Sequence, residues 1–151
     1  MAEPTSESHL PVIDGRTFLE HLSQRECWEL LSSTPVGRIG VLVDSAPEIY
    51  PVNFVVDDTS IVFRTDSGSK LRGLDRSPTV CFEADSIDVE EHTGWSVLVK
   101  GRAMEVTDPE EARAVAALPL RFWSLGDKSH WVRIRPSSVT GRRIDHPRAE
   151  R

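Results

Sequence analysis

The chain has 151 residues and a formal net charge of −6, with 38% hydrophobic and 28% charged residues. This is one domain's length with enough apolar residues for a real core, and its dispersed acidic excess argues against nucleic acid as the main partner. No apolar run approaches the ~20 residues of a membrane span, and Met1–His9 is polar and acidic, unlike a secretory signal or basic transit peptide, so a cytoplasmic protein is expected.

Residues 1–11 are rich in Ser, Glu and Pro and are expected to be flexible, ahead of one domain over 12–144 and a flexible tail over 145–151. Ser23-Gln-Arg-Glu26 has capping-box spacing, with Leu22 and Cys27 placed as a hydrophobic staple. Cys27, Leu30 and Leu31 then share one helical face, which predicts a short helix ending near Ser33, before Pro35. Beyond it the period changes to that of strands. Val36–Val43, Ile49–Val56, Ser60–Thr65, Thr79–Ala84, Trp95–Val106 and Trp131–Arg135 are rich in Val, Ile and aromatics and bounded by turn residues. Ser138–Ile144 is a weaker seventh run. Short connections, including an Asp57-Asp58 turn, favour antiparallel hairpins. One small helix is expected over Ser69–Leu74. Another opens at a second capping box, Thr107-Asp-Pro-Glu110, and runs to Leu118. The fold class is mainly β: a six-stranded antiparallel barrel with short peripheral helices. Cys27 and Cys81 are too few and too far apart for a disulfide framework or metal site, and two buried thiols are expected.

The stretch from Pro51 to Lys70 carries the most chemistry. A strand ends at Arg64-Thr65 and is followed by a small polar loop, Ser69 and Lys70. A guanidinium fork, a hydroxyl, a mobile ammonium and the close backbone approach allowed by Gly68 make a cradle for a phosphate. The plainer alternative is a solvated turn with two basic residues. The preceding strand carries Pro51, which lacks a ladder donor, and Asn53 among apolar neighbours. No Gly-x-Gly-x-x-Gly follows a strand and no P-loop motif occurs, so a Rossmann or P-loop nucleotide site has no support. The histidines lack metal-ligand spacing, and no nucleophile triad is recognisable.

In their order and spacing, Val36-Gly-Arg-Ile-Gly40, Pro51-Val-Asn-Phe54, Phe63-Arg-Thr65 with Lys70, Phe82-Glu-Ala-Asp85, Gly94-Trp-Ser-Val-Leu-Val-Lys-Gly101 and Val139-Thr-Gly-Arg-Arg143 resemble the pyridoxamine 5'-phosphate oxidase-like, flavin-binding split-barrel family. The resemblance covers Leu22 to Ile144 and is greatest to the family's compact branch. It implies a six-stranded split barrel that forms a homodimer with two FMN sites at the interface. It places phosphate ligands at Arg64, Thr65 and Lys70, with Ser69 beside them. It also sets Pro51, Val52, Asn53 and Phe54 along the flavin ring, and Trp95 and Ser96 near the partner's flavin. The expected function is an FMN-dependent oxidoreductase on a small molecule whose catalytic residues are unknown. The alternatives are a flavin-binding module without turnover, a deazaflavin (F420)-dependent reductase on the same barrel, and a haem-binding relative with His130 as axial ligand. No metal site is expected.

Overall fold

The structure, a computed structural model, describes residues 17–66, 68–121, 123 and 130–146, and of Ser69 the backbone alone. The expected flexible segment 1–11 and positions 147–151 of the expected tail lie outside the described residues. In chain order the elements are β1 (Phe18–His21), α1 (Gln24–Leu31), β2 (Val36–Val43), β3 (Ala46–Asp57), β4 (Ser60–Thr65), α2 (Ser69–Arg76), β5 (Thr79–Asp88), β6 (Thr93–Glu105), α3 (Pro109–Ala116) and β7 (His130–Asp145).

All strand pairings are antiparallel, in the order β1-β7-β4-β3-β2-β5-β6, and β6 returns to pair with β7. Six strands, β2 to β7, therefore close into a ring, as expected of the barrel. β1 adds to the edge of β7 beyond the part that β4 occupies. Strand alternation fills the ring: Ile39, Val41, Val52, Phe54, Ile61, Phe63, Val80, Phe82, Val97, Val99, Val132 and Ile134 are all buried in one core. Each large side chain so buried contributes about 1.5–3 kcal/mol. Phe54 and Phe82 meet edge to face, their centroids 4.8 Å apart.

The same alternation corrects one expectation. Cys27 is buried, but Cys81 is exposed because its neighbours Val80 and Phe82 take the inward positions on β5. Two runs expected as separate strands are one: β7 passes through Pro136 because the ladder with β6 shifts register at Lys100/Gly101. At Gly101 a Cβ would stand 2.2 Å from the Arg135 carbonyl oxygen, so only glycine permits that crossing. The β2–β3 turn has Asp44 and Ser45 both at positive φ, as a primed two-residue hairpin needs. The β3–β4 turn falls at Asp58-Thr59, one residue later than expected.

The box at Ser23 forms as expected: its hydroxyl accepts from the Glu26 backbone N–H, and Glu26 accepts from the Ser23 N–H. The third helix differs. Its N-cap is Asp108, which accepts from the Glu111 N–H, leaving Thr107 outside, because Pro109 fixes the first helical position.

Candidate functional site

β3 and β4 pair from Asp57↔Ser60 to Phe54↔Phe63, and there their ladder ends. Both strands continue. β3 stays bonded to β2 back to Ala46, and β4 stays bonded to β7 as far as Thr65. The barrel thus opens into a fork, with Pro51, Val52 and Asn53 on one prong and Arg64 and Thr65 on the other. The sequence motif of Pro51 to Lys70 surrounds this split.

The prongs offer different chemistry. Val52 and Phe54 turn into the core, so β3 presents backbone together with Pro51 and Asn53. Asn53 Oδ1 accepts from the Trp123 backbone N–H at 3.0 Å, which ties the chain after α3 to the fork. On β4, alternation puts Arg64 and Thr65 on opposite faces. The Arg64 guanidinium lies 4.9 Å from the centroid of Trp131, its cross-strand partner. Thr65 is completely buried, and its hydroxyl has no hydrogen-bond partner among the described residues. A buried polar group left in that state costs about 1–3 kcal/mol, and a bound acceptor would relieve that cost.

The next element strengthens that mark. α1 and α3 are capped by side chains, but α2 begins at Gly68 with no side-chain cap and no acidic residue in its first turn. Its N–H groups and positive dipole end stand just past Thr65, and such an end favours an anion. Lys70 lies in this first turn, its Nζ 5.1 Å from the centroid of Tyr50 on β3, while the Tyr50 hydroxyl bonds Glu48. Lys70 therefore spans from the β4 side of the fork to the β3 side. The structure thus gathers Thr65, Lys70 and the backbone of Ser69 around one helix start, and holds the Arg64 side chain against Trp131.

His130 pairs across the ladder with Thr65, and its Nδ1 lies 2.5 Å from Glu105 Oε1. Trp95 and Ser96 are elsewhere. Ser96 pairs with Arg142, twelve positions further along β7 than the Thr65 partner His130, or about 40 Å of strand. Along β7 the partners of these two groups stand near opposite ends of the strand. Among the described residues no cluster of His, Cys, Asp and Glu could hold a metal ion, and no helix is long and apolar enough to cross a membrane.

Two charged clusters were not singled out from the sequence. Arg133 bonds Asp57, Glu111 and the Ser60 hydroxyl at 2.7–2.9 Å, joining the β3–β4 hairpin to α3. Arg38 reaches Asp85 at 3.2 Å and Glu83 at 3.6 Å on the outer face of the sheet. Each unites residues far apart in sequence, so only strand register could have shown them.

A family model described as pyridoxamine 5'-phosphate oxidase matches residues 23–143, and the chain belongs to that family. It is 37% identical over 128 residues to the uncharacterized protein Rv0080 of Mycobacterium tuberculosis, an alignment covering 82% of this chain and 84% of that protein. It is similar to the FAD binding protein from Mycobacterium smegmatis, with 42% identity, a TM-score of 0.68, and coverage of 82% of this chain and 95% of that one. A conserved protein of unknown function from Corynebacterium diphtheriae is 37% identical with a TM-score of 0.69, over 82% and 96% of the two chains.

Proposed function

We propose that the chain binds FMN in the β3–β4 fork and acts, as a homodimer, as a flavin-dependent oxidoreductase on a small molecule. The observation that carries this is the buried Thr65 hydroxyl, without a hydrogen-bond partner among the described residues, beside the uncapped start of α2. A phosphate fits there: it accepts from Thr65, from the first N–H groups of α2 and from the Lys70 ammonium. Ser69 belongs to the same turn, and Arg64 adds positive charge from the far face of β4. Pro51, Val52, Asn53 and Phe54 would flank the ring, chiefly through the backbone of the unpaired prong. Because Trp95 and Ser96 lie on β6, beside the other end of β7, they reach the same flavin from a second copy of the chain. The likeness to an FAD-binding protein supports a flavin, since FAD contains the ring and first phosphate of FMN.

When bound, the flavin supplies the hydride chemistry that side chains lack. The protein's share is to anchor the phosphate, orient the ring and exclude water. A reduced cytoplasm suits the two free cysteines.

A visible spectrum of the purified protein is the first test. The bands of an oxidised flavin support the reading, whereas a deazaflavin or haem spectrum overturns it. Lys70→Ala should weaken FMN ten- to a hundredfold and riboflavin little, the loss of a charge-assisted phosphate contact being worth about 1.5–3 kcal/mol. Arg64→Ala, which removes charge from the far face of β4 and not a direct contact, should weaken FMN less than Lys70→Ala does. Thr65→Val should weaken FMN less, yet raise the melting temperature of the flavin-free protein, because it removes the orphaned hydroxyl. Equal weakening of FMN and riboflavin would reassign these residues to the ring or the fold. NAD(P)H oxidation by the flavin-loaded protein then separates an oxidoreductase from a binding module.

A further inference from the structure

At the far end of the sheet from the fork, Leu19 on β1, Ile144 on β7, Gly94 on β6 and Ile87 on β5 stand in one cross-strand row. Three of the four are exposed apolar side chains, and the fourth is bare backbone. A Cβ at Gly94 would stand 2.5 Å from the Ser86 carbonyl oxygen, so this gap is fixed by the strand path. The result is a cleft of about 590 Å³ over Gly94, walled by Ile87 and Val89 on one side and Ile144 and Leu19 on the other, with Trp95 at its edge.

The next row along is polar. Ser96 and Arg142 are cross-strand partners lining the same cleft, two positions and so about 7 Å beyond Gly94. The charges here are unequal in their commitments. Asp88 Oδ1 accepts from the backbone N–H groups of Glu90 and Glu91, and Asp85, which continues the row on β5, is bound to Arg38. Arg142 makes no ion pair or hydrogen bond among the described residues. An apolar slot with one uncommitted guanidinium at its end is complementary to a flat apolar body bearing one anionic group.

We infer that this cleft binds a flat aromatic carboxylate, its ring over Gly94 and its carboxylate on Arg142 and Ser96. The binding stands on the cleft alone. Its role as the substrate side of the partner's flavin rests on the shared-site reading, which brings Trp95 to that flavin.

Calorimetric titration of the protein with naphthalene-carboxylate and its uncharged carboxamide tests both parts. The carboxylate should bind saturably, about tenfold tighter than the carboxamide. Arg142→Gln should remove that preference by weakening the carboxylate about tenfold while leaving the carboxamide unchanged. Val89→Asp should weaken both, as a charge enters the apolar wall. Both positions are exposed, so folding is not at stake. Absence of saturable binding, or an Arg142→Gln effect equal for the two probes, overturns the inference; so does a dimer whose partner fills the cleft and shuts out the probe. In the FMN-loaded protein, a carboxylate-induced shift of the flavin absorbance supports the substrate role, and binding without a shift overturns that role. If FMN itself fails to bind while the carboxylate still does, the flavin reading falls and the cleft remains.

Discussion

Glu83 and Asp85 project from one face of β5 toward a single guanidinium, that of Arg38. Burial, then the hydrogen bond and like charge of Asp85, push the Glu83 carboxyl up to about 7, although Arg38 pulls the other way. Two carboxylates with one cation hold a proton more easily than they lose it. The folded protein therefore keeps a proton on Glu83 over a range in which the unfolded chain, with an ordinary value of 4.5, gives it up. Stability from this group is fully present below pH 4.5, is lost as pH rises through 7, and is level above it. Glu83→Gln removes the dependence, so the variant should melt higher than wild type above pH 7 and converge with it near pH 4.5. Thermal melts across that window check this; a constant difference would point to packing rather than titration. Thr65 and Lys70 could be singled out in the sequence because a hydroxyl and a cation around a Gly-containing loop have few other uses. The Glu83 cluster could not, since its partner lies on β2.

At the scale of elements, the start of the first helix was the most legible feature. Ser23-x-x-Glu26 forms the reciprocal pair that its spacing implies, and Gln24 adds a 2.6 Å bond from its amide to the Val139 carbonyl on β7. Ser23→Ala should cost about 1 kcal/mol, read as a lower urea midpoint with an unchanged slope. No loss would mean that the Gln24 bond and core packing hold α1 alone. β1 escaped notice because all four of its residues are at least partly exposed, so no alternation betrays it. β7 was divided in two because Pro136 ordinarily ends a strand, and the register shift that admits it depends on Gly101 of another strand. The fork was hidden for a related reason. Nothing within β3 or β4 tells where their mutual ladder stops, since each keeps a partner on its other side.

For the whole molecule, the ring leaves apolar side chains outside. Ile49 is 73% exposed and Met104 63%, and the described helices cover neither. Such side chains are available to an association surface, and the shared-site proposal requires one. We expect a homodimer with a largely apolar interface. Static light scattering at micromolar concentration should give twice the chain mass. A stable monomer that retains flavin would sink both the dimer and the shared site. The closed ring and its core were readable from alternation, whereas the placing of Trp95 and Thr65 beside opposite ends of β7 required the register.

β7 also bears on how the protein is made. It follows every other strand of the barrel in the chain, yet it alone bonds β1, β4 and β6. During synthesis the outer edges of β4 and β6 thus wait, unpaired, for a strand that emerges after both. Closure by such distant partners is slow, and open edges invite pairing with other chains. A ribosome that stalls before His130 would release a sheet with two exposed edges, a substrate for chaperones rather than a smaller version of the same protein.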